Sequence, residues 1–569
     1  MNARRGMTLI DVVVGTALIL IIFTALFGLL RASVLVSGMV KSEATATAVA
    51  NNQMEYIRSL PYNSVGTVGG IPSGAIPQNA TTTEDGVSYG VRTFVDYYDD
   101  PADGLGAADT NGITEDYKRI KVSVTYVVNG KSKVVTFVSN YAPPGLETTV
   151  GGGTLQINVV NATGTAVPGA TVTITNSSVS PAVNLSTFSD VNGEVFLPGA
   201  ATSTQYAVTV TKSGYSTAQT YARNGTNQNP TPGYLTVVNN QTTTGTFAID
   251  ALSTLTLNTY TPAATSTFSD SFANATKLAT VSNTSAAGSL TLSGGVGSYA
   301  LSGTAISSPI STSTLVSWGV ASSTITTPGG TTAVVQIVDG SGNLLPNSVL
   351  PGNSIGFTSF PINLYSVSTS TYPTLALMAT LTTNSTSVTP SLASWNLSYL
   401  AGPIPLPNVS YSLTGAKTIG STGAGAPIYK TTVSGTTNSS GTSAQTLEWD
   451  AYSLSIPSYD ILDSCNDSPP YAVSPGSTIG ESLILGPLTS NAVLINVNDS
   501  TGNNLAGATV TLARSGYSKT VTSSACGNAY FGGITSATDY TITIAKTGYT
   551  TNTTSNVTVS GHTFYAVSF

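Results

Sequence analysis

Gly6, Met7 and Asp11 have the types and spacing for a processing and pairing chemistry. Cleavage after Gly6 would free an α-amino group on Met7 and leave Asp11 as the fifth residue of the mature chain. The run from Met7 to Leu30 is otherwise largely apolar, and Asp11 is its single acid. A carboxylate in a bilayer-length segment costs about 2.5–3.5 kcal/mol at the helix centre. It persists where something neutralises it, and the candidate is the Met7 ammonium of a neighbouring copy or related subunit. A second constellation is acidic. Asp99, Asp100, Asp103, Asp109, Asn111, Glu115 and Asp116 share one glycine-containing stretch. Such oxygen ligands suit calcium, and a solvated acidic loop is the other reading. Cys465 and Cys526 either form one disulfide or remain two buried thiols. His562 is the single histidine, so a Ser-His-Asp triad would have to use it. With two cysteines it cannot build an ordinary structural zinc site.

The elements that position these residues begin with a helix. About 20 apolar residues span a bilayer, and Ile10 to Leu30 is long enough. Arg4 and Arg5 precede it, which favours a cytoplasmic N-terminus and an exported body, although Arg31 and Lys41 follow on the other side. Val36, Val40, Ala44 and Ala48 then recur every four residues, followed by Met54, Ile57 and Leu60 at spacing three. This pattern predicts one helix over residues 8–59, its second half amphipathic and packed on a head. Pro61 and the glycines at 66–70 end it.

Beyond the helix the sequence reads as mainly β and multi-domain. Of 569 residues only 8% are charged, the net charge is −7, and 40% are hydrophobic, which argues against wholesale disorder. The acidic balance gives no electrostatic case for binding nucleic acid. Strands are expected at Val87–Tyr98, Tyr117–Val128 and Ser132–Tyr141, with Asn129-Gly130 as a hairpin turn. LQINVVNATGTAVPGATVTITN at 155–176 repeats as VLINVNDSTGNNLAGATVTLAR at 493–514, and YAVTVTKSGYST at 206–217 as YTITIAKTGYTT at 540–551. A diverged third copy fits 404–488. The expected division is a leader at 1–6, a transmembrane and filament-core helix at 7–60, a head at 61–145 and a linker at 146–153. Sandwiches follow at 154–250, 251–402, 403–489 and 490–569.

The N-terminal residues Arg4, Arg5, Gly6, Met7, Thr8, Leu9, Ile10 and Asp11 resemble the class III signal of type IV pilins and pseudopilins. That family usually has glutamate where this chain has Asp11. The resemblance implies a membrane peptidase that cuts after Gly6 and methylates Met7, and other pilin subunits as partners through the helix. It also implies an α+β head, with a β-meander packed on the helix. Several pseudopilins hold calcium in a loop comparable to the acidic one here. The repeats resemble carboxypeptidase regulatory-like domains, seven-stranded prealbumin-like or Ig-like sandwiches that bring no catalytic residue. In them Tyr215 and Tyr549 are expected to pack over the sandwich end. VTPSLASWNLSYL, which closes 251–402, looks like the last strand of a jelly roll of the galactose-binding or lectin-like type. Alternation favours Trp318 and Trp395 as core over exposed glycan platforms.

The expected function is a minor, low-copy subunit of a type IV pilus. It would sit in the cytoplasmic membrane before assembly and on the cell surface afterwards, and display sandwiches for adhesion to a surface, a cell or a glycan. A pseudopilin of a secretion or DNA-uptake machine fits the first 145 residues equally well. A membrane-anchored enzyme is disfavoured: a hydrolase would need its site in 251–402, where the sequence has no nucleophile elbow, metal-ligand cluster or usable histidine and Asp270 and Asp339 are the only acids. A wall-attached protein would need a sorting signal, and the C-terminal HTFYAVSF is a strand pattern.

Overall fold

The computed structural model describes residues 9–104, 113–144 and 151–568. The chain is mainly β, with one long N-terminal helix followed by a head and tandem sandwiches. Helix α1 runs Leu9–Arg58 without a break, since no proline interrupts it before Pro61. Its C-terminal part packs on the antiparallel head sheet β1 (Asn79–Glu84), β2 (Val87–Tyr98), β3 (Tyr117–Val128) and β4 (Lys131–Tyr141), in that order. Strand β1 was not expected: its Ala-Thr-Thr-Thr run is polar and mostly exposed, so no alternation marks it. The turns Asp85-Gly86 and Asn129-Gly130 all have positive φ (53°, 77°, 52° and 74°), the backbone that two-residue hairpins need.

The buried face of α1 matches the expected stripe at Met54 and Ile57, with Leu60 packed just beyond the helix end, and departs from it before them. Ser42, Ala46, Ala50, Met54 and Ile57 are buried against Val91, Val95, Ile120, Val122 and Val124. Val36, Val40, Ala44 and Ala48 are exposed. Two residues along a helix is about 200° around it, so the two stripes lie on opposite faces. Alanines occupy both, and close approach of the sheet to Ala46 and Ala50 decided between them.

The two sequence repeats share one topology. In the first sandwich, the strand Gly153–Val160 pairs parallel with Thr242–Ala248 and antiparallel with Glu194–Ala200. In the last, Ala492–Asn498 pairs parallel with His562–Ser568 and antiparallel with Asn528–Gly532. The diverged copy follows the same plan, but its first strand is Ser253–Thr261. That strand pairs parallel with Thr478–Pro487 and antiparallel with Thr442–Leu447. Leu255 and Leu257 are buried in one core with Tyr411, Leu413, Tyr452 and Leu483. The expected division at 251–402 and 403–489 is therefore corrected. One composite sandwich comprises 253–261 and 404–487, and the two-sheet sandwich at 264–401, the expected jelly roll, is inserted in its first turn. The register leaves no alternative: Thr261 pairs with Ile404, and Ala264 pairs with Ala401 beyond it. In the uninterrupted copies the same turn closes through the bridges Val160–Ala166 and Asn498–Asn504.

Successive units are braced. Ile71 of the head lies in the first sandwich's core, Gln78 Nε2 donates to Asn184 O (2.8 Å), and the Arg92 guanidinium covers Phe188. Asn229–Pro230 of the first sandwich pairs with Gly420-Ser421 of the composite one. Nearby, Lys430 Nζ reaches both Thr217 O and Glu448 Oε2 at 2.7 Å.

Within the composite sandwich, Glu481 is fully buried. Its Oε2 accepts the Asp467 N–H at 3.1 Å, and among the described residues Oε1 has no hydrogen-bond partner. Burial pushes its carboxyl up to about 7, against the Asp467 N–H, which lowers it; the Asp467 charge adds a smaller push upward. An acid raised on folding holds its proton more tightly when folded, so its favourable contribution is present below the unfolded pKa, near 4.5, and is lost as pH rises through about 7. Glu481→Gln is expected to leave stability nearly unchanged at pH 4 and to raise it at pH 8, on the order of 1–3 kcal/mol. Hydrogen exchange in the strand Ser253–Thr261 at the two pH values measures the difference.

Candidate functional site

Three places carry the residues singled out by sequence. The first is the helix. Gly6 and Met7 lie outside the described residues; Asp11 falls within the first turns of α1. From Leu9 to Val40 the described large apolar side chains are exposed, among them Leu18, Phe23, Leu26, Phe27 and Val40. The helix is long and apolar enough to cross a membrane. A Cβ at Gly15, Gly28 or Gly38 would meet nothing within 4 Å, so these glycines answer no contact within the chain.

The second place is the acidic loop between β2 and β3. Asp99 and Asp116 are buried and Asp103 is half-buried, and one carboxylate oxygen from each lies within 4.8 Å of the others. Asp116 Oδ2 accepts the Asp100 N–H, and Asp100 Oδ1 accepts the Ala102 N–H (3.0 Å). Asp100 thus shapes the turn. Asp109 and Asn111 lie outside the described residues. Glu115 reaches the first sandwich, where it accepts the Gly199 N–H, and burial chiefly, with smaller pushes from Asp116 and Asp99, raises its carboxyl. Lys118 was missed by sequence reasoning. Its ammonium is buried, donates to Tyr62 O (2.8 Å) and Val65 O (2.7 Å), and is lowered by burial to about 8. It ties the loop after α1 to β3 next to the trio. The alternating pattern of β3 places this lysine on the inward face, which was the available signal.

The third place is the seam between the composite and last sandwiches. A disulfide joins Cys465 to Cys526 across it, with the Cα atoms 4.9 Å apart. Beside it, Asp463 Oδ1 accepts Asn528 Nδ2 (2.7 Å) and Ser524 Oγ (3.0 Å). Deeper in, Asp460 is fully buried. Its Oδ2 accepts the Thr489 N–H (3.1 Å), the Thr489 hydroxyl (2.7 Å) and the Tyr530 hydroxyl. His562 Nδ1 lies 2.9 Å from Asp460 Oδ1. A cavity of about 370 Å³ opens there, lined by Ile456, Tyr459, Leu488, Tyr530, His562 and Phe564. Both hydroxyls donate to Asp460, so the cluster is arranged to hold two domains together. No local pattern signals this convergence, since its partners are as distant along the chain as Asp460 and His562.

One strand of this seam belongs to the segment that decides the family of the last sandwich. Residues 492–569 match the carboxypeptidase regulatory-like domain family. This regulatory-like domain begins at the strand that crosses the seam and includes Cys526, Tyr530 and His562. No curated protein matches the chain. Among solved structures, the Bacillus anthracis TIE protein is similar at 10% identity and TM-score 0.16, over 79% of this chain. This chain spans 59% of that protein's length. BcpA, the major pilin subunit of Bacillus cereus, is similar at 10% identity and TM-score 0.14, over 73% of this chain and 99% of that one. The shaft pilin SpaA from Lactobacillus rhamnosus GG gives 14% identity and TM-score 0.11, over 29% and 86%. At such scores the similarity fixes neither the arrangement nor the function of this chain.

The tyrosines of the KxGY turns differ between the copies. Tyr215 packs against the core of the first sandwich, whereas Tyr549 of the regulatory-like domain is 41% exposed. Trp318 and Trp395 are both fully buried in the jelly-roll core, so neither offers a platform for a glycan.

Proposed function

We propose that this chain is a minor subunit of a type IV pilus-like filament, held in the membrane and then in the filament by α1, with braced sandwiches displayed outside for adhesion. The observation that carries the reading is the helix itself. One uninterrupted element presents a bare apolar surface along its first half and backs a head with its second. Apolar surface of that extent requires lipid or other helices around it. Sandwiches stacked after the head would obstruct dense packing if every subunit carried them, which favours low copy number. Nothing in the arrangement of Asp460 and His562 calls for catalysis, and we read the chain as structural.

Cleavage after Gly6, methylation of Met7 and pairing of its ammonium with Asp11 of a neighbour belong to this proposal. Mass spectrometry is expected to find a methylated chain beginning at Met7. Asp11→Ala is expected to reduce incorporation into sheared filaments at least tenfold, with normal membrane levels. A chain beginning elsewhere, or unchanged incorporation, would remove the reading. Immunogold label at filament ends or sparsely along them is expected; label on every subunit would refute low copy. A pseudopilin would instead show lost secretion or DNA uptake on deletion, with attachment intact.

The trio Asp99, Asp103 and Asp116 favours a second, subordinate reading, calcium bound in the head. These carboxylates would hold it, and bound calcium would neutralise charge gathered in a partly buried turn. Millimolar calcium is then expected to raise the head's thermal midpoint by several degrees, and Asp116→Asn to abolish the rise.

A further inference from the structure

We infer that the Cys465–Cys526 disulfide makes the composite and last sandwiches one mechanical unit under tension. The inference goes beyond the filament reading and does not depend on it. The two cysteines are 61 residues apart in sequence, and among the strands and turns of the ring they close, three consecutive parts link the two cores. The strand Thr478–Pro487 is the parallel partner of Ser253–Thr261 and supplies Leu483 and Leu485 to the composite core. Residues 488–491 are the whole backbone connection between the two sandwiches. The strand Ala492–Asn498 is the first of the last sandwich and supplies Val493, Ile495 and Val497 to its core. Tension along the chain would pass from Cys465 to Cys526 through the sulfur–sulfur bond and bypass all three.

The seam is built to act with that bond. Leu494 faces out of its own sandwich into the composite core, and Tyr530 and Phe564 pack beside it. Thr489 of the connection, Tyr530 and His562 converge on the buried Asp460. Each core holds a strand that lies inside the ring, so neither sandwich can be drawn out completely while the bond persists. A dithiol reductant opens it: the reductant's sulfurs form their own disulfide, and two electrons and two protons pass to Cys465 and Cys526 as thiols.

Single-molecule pulling tests this on the full chain in detergent micelles, tethered by peptide tags at both termini. Without reductant, the composite and last sandwiches are expected to yield in one step. Their released length should fall short by roughly 200 Å, the contour of the enclosed residues at about 3.3–3.6 Å each. With a dithiol present, or in C465S/C526S, that length should return and two steps should replace one. Should C465S/C526S fail to fold, the parent chain with and without dithiol carries the comparison. Alkylation of both cysteines in untreated protein, equal released lengths with and without reductant, or two separate steps in the oxidised chain would each overturn the inference.

Discussion

Excising residues 262–403 and joining Thr261 to Ile404 through an Asn-Gly turn is expected to leave the composite sandwich folded. Thr261 and Ile404 are antiparallel partners, so a two-residue turn closes the gap that the jelly roll occupies. The hydrogen bonds of Ser253–Thr261 to its neighbours on both sides would be untouched. A second chain, which keeps 403–489 and lacks 253–261, is expected to fail. It would lose Leu255 and Leu257 from the core, each worth roughly 2–5 kcal/mol as a buried leucine. It would also expose the backbone edges of the strands on either side. Hydrogen exchange of the strand Thr478–Pro487 measures both outcomes: protection retained in the first chain, lost in the second.

Asp460→Ala is the other large effect. The substitution leaves the Thr489 N–H, the Thr489 and Tyr530 hydroxyls and the His562 ring facing a void where one buried carboxylate had met them all. Leaving a buried donor without its acceptor costs about 1–3 kcal/mol for each group. The disulfide should keep the two sandwiches attached, so the loss is expected as faster exchange at Thr489, Ala492 and Tyr530, with little change in the head. Added to C465S/C526S, the substitution is expected to cost more than the sum of the separate changes, because either device alone holds the other in register. Asp460→Asn, which keeps an acceptor oxygen but brings a donor toward other donors, should fall between the two.

Much of the fold was legible along the chain. The apolar run before Arg31 and the lack of proline before Pro61 specify one long helix. The alternation in 87–98 and 117–128 and the Asn-Gly turn specify three of the four head strands to within one residue at each end. These signals are local, since period and turn chemistry act between near neighbours. The buried face of the helix was legible at Met54 and Ile57, and at Leu60 just after its end, but not before them, because there alanines line both sides and only contact with the sheet distinguishes them. The first strand of the composite sandwich was not legible either. Its partners lie beyond the whole inserted jelly roll, and alternating Thr and Leu alone cannot say which sheet a strand joins.

The same division runs through the site residues. Sequence by itself determined which groups exist: a single acid in an apolar helix, a cluster of carboxylates, one histidine and two cysteines. It also determined that the body is built from repeated strands of one pattern. Only the tertiary structure decided which of these groups meet. It brought Asp99, Asp103 and Asp116 together, turned Glu115 to the neighbouring sandwich, and gathered Asp460, Thr489, Tyr530 and His562 at one seam beside the disulfide. The physical reason is that residue type and spacing fix the chemistry and the local backbone. Convergence of residues distant along the chain is set by sheet pairing and by how two cores pack against each other.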